Sequence, residues 1–188
     1  MPDDDFLDRF ADVLRGRRTI GAFQLELPPR EAILAAVELA CWAPNHRLTE
    51  PWRFTLLGPQ TVQQIISLNA ELVGGKKGPV EAERKRTQWS AVPGWLLVTC
   101  LRADDPIQSD EDYAACCCAV QNLMLALWSR GIGTKWSTGD VTRHPRFAEI
   151  VQVDLHAQRV VGMLWYGFPA SLPERKRRPL DEVLRALP

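Results

Sequence analysis

The segment from Tyr113 to Trp128 limits what this chain can fold into more than any other part of the sequence. It is apolar almost all round a helix, and Gln121 and Asn122 are its main interruptions. A helix without a polar face is stable only where most of its surface is buried. We therefore expect this helix in the core of the fold, with a subunit interface along it.

The spacing of apolar residues, together with glycine and proline, predicts the remaining elements. Helices are expected over residues 6–14, 28 to about 43, 61–73 and 144 to about 151, with a short helix at the C-terminus. Strands are expected over residues 54–57, 95–101 and 159–166. Such layers indicate an α+β sandwich. Three strands are few for a covered sheet, so a further strand is expected from another chain or from the tail.

Two segments allow two interpretations each. Residues 76–88 are highly charged and short of apolar side chains, so they form either a mobile excursion or a surface helix that covers a site. Residues 131–140 are rich in glycine and small hydroxyl side chains and are predicted to form a loop. That loop is either a place where backbone approaches a ligand closely or an ordinary turn after a helix.

Composition and charge exclude several classes of protein. With 46% apolar and 24% charged residues, the 188 residues are expected to form one globular domain spanning 1–188. The 23 basic and 23 acidic residues cancel, so no net charge favours nucleic acid or a membrane surface. No apolar run is long enough to cross a bilayer, and the N-terminus is acidic, unlike a secretory signal. We expect a cytoplasmic protein.

The five cysteines are odd in number and lack the paired spacing of a zinc site. Cys116, Cys117 and Cys118 point in three directions from a helix, so they cannot converge on one metal ion. We therefore expect no metal site, and we interpret all five cysteines as small buried apolar residues.

A basic motif follows the first predicted helix. Arg17, Arg18 and Thr19 come directly after Gly16. Two guanidiniums and a hydroxyl in succession suit a phosphate group, because each offers hydrogen-bond donors. The alternative is a cationic turn that stabilises the negative end of the helix dipole.

A polar loop follows the second predicted helix. Pro44 cannot continue that helix, so Asn45, His46 and Arg47 are expected to project from the loop. Polar loops on a rigid scaffold often form binding sites. A plain polar turn at a helix end is the alternative.

Four motifs, in this order, resemble the nitroreductase family of FMN flavoproteins, especially its short bacterial YdjA-like branch. They are Arg17-Arg18-Thr19, the Pro44-Asn45-His46-Arg47 loop ending in Pro51-Trp52, the Trp136-Ser137-Thr138-Gly139 segment, and the Gly-Met-Leu-Trp-Tyr-Gly-Phe-Pro run of residues 162–169 before a basic tail. The resemblance spans nearly the whole chain. It implies an α+β fold, namely an α/β/α sandwich whose central mixed β-sheet is flanked by helices and completed across a domain-swapped homodimer.

The resemblance also implies how the chain would hold FMN at the phosphate end. Arg17, Arg18 and Thr19 match the segment that holds the FMN phosphate and ribityl chain. Arg175 and Arg177 match a basic tail that closes over the phosphate.

Five further positions match residues near the flavin ring. His46 matches a loop histidine that reaches the flavin of the partner subunit, and Trp42 lies one helical turn earlier, near the same site. Trp136, Ser137 and Thr138 match the segment that lies along the flavin.

Three positions depart from the family pattern. Thr19 replaces the usual Ser and keeps the hydroxyl. Glu50 replaces the usual Gln or Asn before Pro51, which turns an amide into a carboxylate. Ser137 replaces an Arg of the YdjA-like branch, so we expect the tail arginines to supply the missing positive charge.

The implied function is an FMN-dependent oxidoreductase that passes electrons from NAD(P)H to an electron-poor acceptor, a nitroaromatic or a quinone, by a ping-pong mechanism. No general acid or base is assigned. One alternative is a related flavin enzyme that fragments or reductively dehalogenates its substrate. The other is a non-enzymatic FMN-binding or nucleotide-binding module.

Overall fold

A computed structural model of the protein describes residues 3–187. Its helices are α1 (Asp4–Gly16), α2 (Arg30–Ala40), α3 (Pro59–Lys77), α4 (Pro79–Ser90), α5 (Pro106–Trp128) and α6 (Pro145–Val151). Its strands are β1 (Trp52–Leu56), β2 (Gly94–Leu101), β3 (Gly133–Ser137) and β4 (Gln158–Gly167). Short 3-10 turns lie at His46–Leu48, Asp140–Arg143 and Leu180–Glu182.

The four strands form one sheet in the order β1-β2-β4-β3, and each neighbouring pair is antiparallel. Side chains alternate between the two faces because successive residues of a strand point in opposite directions. Leu96 and Val98 pack with α2 and α5 on one face, whereas Trp95 and Leu97 pack with α3, α4 and α6 on the other. The predicted α+β sandwich is therefore confirmed.

The sheet differs from the prediction in two ways. First, its four strands are antiparallel rather than mixed, and the parallel contact between Thr19 and Thr134 is an isolated bridge outside the four strands. Second, residues 133–137, which were predicted as part of a loop, form the edge strand β3. The sequence did not predict this strand because it contains glycine and polar residues and lacks the apolar pattern of a strand. Its stability comes from pairing with β4. The predicted domain swap stays a prediction.

The charged segment 76–88 is mostly a surface helix. Helix α3 continues through Gly74 and Gly75, and α4 begins after Gly78, whose φ is 85°. Trp89, just beyond the charged segment, anchors α4, since its ring centroid lies 5.6 Å from that of Trp95 and 5.0 Å from that of Trp165.

Helix α5 begins earlier than predicted, because the Asp105 side chain accepts a hydrogen bond from the Ile107 N–H at 3.1 Å and caps it. One face of α5 is buried against the sheet, as expected for a helix with so many apolar side chains. Cys118 and Gln121 remain exposed in the single chain. The subunit interface along α5 stays a prediction.

The cysteines only partly match their interpretation. Cys100 and Cys116 are buried, but Cys41 and Cys118 are exposed. The expectation of five buried cysteines is therefore wrong for these two. Cys41 lies at the exposed C-terminal end of α2, and Cys118 is one of three consecutive helical residues, which cannot all face the core. In the described part of the chain, no His, Cys, Asp and Glu side chains are grouped so that they could hold a metal ion. Among residues 3–187, no helix is both long enough and apolar enough to span a membrane.

The outer edge of β3 is met by the segment that follows α1. The Ile20 N–H donates a hydrogen bond to the Thr134 carbonyl at 2.9 Å. This close approach requires a glycine at position 133, because a Cβ there would lie 2.5 Å from Ile20 Cγ1 and 2.9 Å from Pro169 Cγ.

Gly133→Ala is therefore expected to lower the free energy of unfolding by about 1 to 3 kcal/mol, the usual cost of overpacking a core. Urea unfolding followed by tryptophan fluorescence measures this. Gly21→Ala is the matched control, since a Cβ at Gly21 meets nothing within 4 Å. Equal stability of the two variants would contradict the close approach.

Candidate functional site

Arg18 stabilises the end of α1. Its Nη1 donates hydrogen bonds to the carbonyls of Arg15 at 2.5 Å, Gly16 at 3.0 Å and Arg17 at 3.1 Å. Its Nε donates to the Pro173 carbonyl at 3.1 Å and so ties the tail to the helix end. The capping role considered for this motif is thus present at Arg18.

Five arginines gather at this helix end, and we call them the tail arginine cluster: Arg15, Arg17, Arg18, Arg175 and Arg177. All but Arg17 line a cavity of about 290 Å³ together with Leu14. Burial, and then the nearby guanidiniums of Arg177 and Arg18, lowers the pKa of Arg17 below its usual value. None of the described residues that line the cavity carries a carboxylate. The cluster is therefore an unbalanced positive site that can hold an anion.

The predicted flavin-lining residues lie along β3. The Trp136 indole N–H donates to the Val161 carbonyl at 3.1 Å. Its ring lies against Gly162, where any Cβ would collide with it and where φ is 156°. Ser137 is the last residue of β3, and Thr138 follows it with an exposed side chain.

The two groups of predicted residues stand at opposite ends of β3. Thr19, next to the tail arginine cluster, pairs with Thr134. Thr138 is four residues further on, about 13 Å along an extended chain. A ligand that touched both groups would lie along the outer edge of this strand.

The loop of residues 45–50 has a strained backbone that side-chain hydrogen bonds hold in place. Arg47, Leu48 and Glu50 all have left-handed φ values, of 61°, 51° and 45°. The side chain of Asn45 accepts a hydrogen bond from the Glu50 N–H at 2.6 Å. Strain of this kind costs energy and persists only where surrounding contacts hold it.

A buried carboxylate supplies such a contact. Asp112, only 3% exposed, accepts hydrogen bonds from Thr49 Oγ1 at 2.5 Å and from Gln108 Nε2 at 2.9 Å. Next to it on α5, Glu111 Oε2 lies 2.7 Å from His46 Nδ1. The first part of α5 therefore fixes both the strained loop and the orientation of the imidazole.

His46 is far from the tail arginine cluster within one chain. The loop contacts Glu111, whereas Gly16 lies beside Trp128, the last residue of α5, with an ideal Cβ 3.1 Å from its Nε1. Seventeen helical residues separate Glu111 from Trp128, which is about 25 Å along the helix axis. Trp42 is 79% exposed and has no core role in the single chain.

A second cationic cavity, of about 320 Å³, opens beside Thr138 and was not predicted. Its polar lining includes Arg102, Arg143, Arg159 and Tyr113. These residues come from separate parts of the chain, so no local pattern connects them. Asp112 was also missed, although it lies four residues before buried Cys116 and so shares its helical face.

Comparisons with known proteins agree on one family. The sequence model of the Nitroreductase family matches residues 14–168. Bacillus subtilis YfhC, whose name gives it as a proposed NAD(P)H nitroreductase, is 32% identical over 171 residues, which cover 89% of this chain and 88% of YfhC. The crystal structure of a nitroreductase-like family protein from Bacillus cereus has a TM-score of 0.82 and 30% identity, with 95% of each chain covered.

A more distant structure has the same fold with ligands bound. Iodotyrosine deiodinase bound to FMN and 3-iodo-L-tyrosine has a TM-score of 0.72 and 22% identity, with 90% of this chain and 95% of that chain covered. At this identity the likeness concerns the fold alone.

We expect Thr49→Ala to lower the free energy of unfolding by about 1 to 2 kcal/mol, because Asp112 loses a hydrogen-bond donor while it stays buried. Amide hydrogen exchange at residues 45–50 should also become faster. Thr87→Ala, at an exposed position of α4, is the control and should change stability by less than about 0.5 kcal/mol. Unchanged exchange in the loop would show that Asp112 does not hold it.

Proposed function

We propose that this chain, which belongs to the Nitroreductase family, is an FMN-dependent oxidoreductase that uses NAD(P)H to reduce an electron-poor acceptor such as a nitroaromatic or a quinone. The observation that carries the proposal is the tail arginine cluster at one end of β3, with Trp136, Ser137 and Thr138 at the other. A phosphate group and a flat ring at opposite ends of one ligand match this arrangement.

The tail arginine cluster fits the phosphate of FMN. Burial, and then the neighbouring guanidiniums of Arg177 and Arg18, lowers the pKa of Arg17, and the described lining residues offer no carboxylate to balance these charges. A phosphate dianion would remove that repulsion and accept forked hydrogen bonds. Arg15, Arg175 and Arg177 are the freer donors, since Arg18 also caps α1. Thr19, with an exposed hydroxyl beside β3, would meet the ribityl chain.

The edge of β3 fits the ring. Trp136 is fixed by its hydrogen bond to the Val161 carbonyl and so gives a rigid support next to the ring. Ser137 and Thr138 would offer backbone donors and hydroxyls where charge develops. When bound, FMN supplies the electron transfer itself, taking hydride from NAD(P)H and passing electrons to the acceptor, which uses the same pocket in turn.

Two copies of the chain would build each site. His46 contacts Glu111, and Glu111 lies about 25 Å along α5 from Trp128, which is beside Gly16. Within one chain, His46 is therefore remote from the phosphate end of the proposed site. Helix α1 has no buried residue, and Phe6, Leu7, Phe10 and Leu14 are each about half exposed on it. A second copy would cover this apolar face and bring its own His46 and Trp42 to the ring. A homodimer with exchanged segments is therefore part of the proposal, as is a single domain of 188 residues.

The loop would act as a prearranged wall of the partner's site. Glu111 occupies His46 Nδ1, so Nε2 is the ring nitrogen open to a ligand. Asp112 and Asn45 hold the strained backbone, which reduces the ordering cost when the ligand binds. Glu50 keeps a structural role through its backbone, and its exposed carboxylate is free to repel an anionic substituent nearby.

Reductive dehalogenation is a second candidate, because iodotyrosine deiodinase bound to FMN and an iodotyrosine shares the fold. Rapid-mixing assays separate the candidates. The proposed oxidoreductase consumes a nitroaromatic or quinone after anaerobic reduction by NAD(P)H, whereas a deiodinase releases iodide from 3-iodo-L-tyrosine. A non-enzymatic module would bind FMN but would not be bleached by NAD(P)H. The cytoplasmic location stays a prediction.

Arg17→Ala is expected to weaken FMN binding about tenfold to a hundredfold. Arg17 does not line the cavity itself, but its guanidinium lies close to those of Arg18 and Arg177 and would contact the phosphate from the edge of the cavity. Riboflavin, which lacks the phosphate, should bind both proteins almost equally. Affinities are measured by flavin fluorescence at two salt concentrations, since salt screens only the phosphate contact.

Arg9→Ala is the matched control, because Arg9 lies on the exposed surface of α1 with Asp5 2.8 Å away. It should leave FMN affinity unchanged. Arg18→Ala should lower both FMN affinity and stability, since this side chain also caps α1. Equal loss of FMN and riboflavin in Arg17→Ala would mean that the phosphate lies elsewhere.

A further inference from the structure

The cavity beside Thr138 has the composition of an anion site, and we call it the Arg159 cavity. Nine residues line it: Arg102, Tyr113, Thr138, Thr142, Arg143, Leu155, Arg159, Val160 and Val161. Three are arginines and three carry hydroxyls, and no described lining residue carries a carboxylate. Its volume of about 320 Å³ exceeds that of a single carboxylate or phosphate group, so it can also admit part of a larger molecule.

Arg159 is fixed in place within this cavity. Its guanidinium carbon lies 3.7 Å from the centroid of the Tyr113 ring, which is a stacked cation–π contact. Its backbone is held in β4 opposite Cys100 of β2. Stacking uses the flat face of a guanidinium and leaves the N–H groups at its edge free to form a fork with an oxyanion. Little side-chain freedom remains to be lost when such an anion binds.

The other two arginines are only weakly neutralised. Arg102 Nε donates to the Leu155 carbonyl at 3.0 Å, a contact that leaves its charge unpaired. Arg143 Nη1 lies 3.8 Å from Asp140 Oδ1, but Lys76 approaches the same carboxylate at 2.6 Å. The pair with Asp140 is also exposed, so it contributes little. The cavity therefore keeps a net positive charge.

Two arginine groups flank β3, but FMN has one phosphate. The tail arginine cluster stands at the Thr134 end, and the Arg159 cavity stands at the Thr138 end, about 13 Å further along. If the first group holds the FMN phosphate, the second is left for another anion next to the ring. Ser137 carries no charge here, and the tail arginines of the same chain line the cavity beside α1, so the expectation that they replace the missing charge near Ser137 stays a prediction.

We propose that the Arg159 cavity binds the carboxylate or phosphate group of a substrate of the flavin reaction, through a fork formed by Arg159 and completed by Arg143. This assignment deepens the proposed function and rests on it. It selects an acidic class of substrate: either an acceptor that carries an acid group or the phosphate-bearing NAD(P)H.

The test compares an acid with its uncharged ester. FMN-loaded wild type, Arg159→Gln and Arg143→Gln are titrated by calorimetry with 4-nitrobenzoate, with methyl 4-nitrobenzoate and with NADP⁺, which carries the phosphates of NADPH but cannot reduce FMN. Arg86→Gln, on the exposed surface of α4, is the matched control. FMN affinity and circular dichroism are measured for each variant, and Arg159→Lys, which keeps the charge without the fork, serves if Arg159→Gln folds poorly.

The proposal expects Arg159→Gln to weaken 4-nitrobenzoate about tenfold and the ester less than about twofold, with FMN affinity unchanged. A similar loss for NADP⁺ but not for 4-nitrobenzoate also supports the site and assigns the anion to the nucleotide. The proposal is overturned if neither anion weakens, if acid and ester weaken equally, or if FMN itself is lost. Binding needs no turnover, so a protein that NADPH fails to bleach would refute the oxidoreductase without deciding the cavity.

Discussion

The edge strand β3 is the constraint on which the candidate site depends. On its inner side β3 pairs with β4, and on its outer side the Ile20 N–H bonds to the Thr134 carbonyl. Gly133 permits that approach because it has no side chain to displace Ile20 and Pro169. The strand therefore determines the position of residues 17–19 beside its first half and of residues 136–138 at its other end. A shift of one residue in its pairing would turn Trp136 to the opposite face of the sheet.

Electrostatics singles out two places where this chain would accommodate an anion. The tail arginine cluster and the Arg159 cavity both collect guanidiniums that the surrounding described side chains do not neutralise. Keeping like charges together costs free energy, and an anionic ligand offsets that cost when it binds. The loop of residues 45–50 likewise stores strain in its backbone, and Asp112 helps to hold it through the hydrogen bond from Thr49. The tail arginine cluster, the Arg159 cavity and the loop of residues 45–50 are thus the three places where ligand binding would offset a cost in free energy.

Much of the fold could be predicted from local pattern, and much of the site could not. Strands β2 and β4 and helix α5 are apolar runs, so burial alone identifies them. Strand β3 is polar and short, and only its partners make it a strand. The basic and histidine motifs were visible because their residues are adjacent in sequence. Arg102, Arg143 and Arg159 are not adjacent, and their convergence beside Thr138 depends on the antiparallel order of the sheet.

The central claim is that two copies of the chain hold FMN between them, with the tail arginine cluster of one copy and the His46 loop of the other at each site. Native mass spectrometry of the purified protein tests this most directly. The account predicts a dimer that carries two FMN molecules. In a mixed dimer of one His46→Ala chain and one Arg17→Ala chain, both changes fall on one site and neither falls on the other, so the first site should lose FMN and the second should keep it. Monomers that each retain one FMN, or a dimer that binds no flavin after reconstitution, would contradict it.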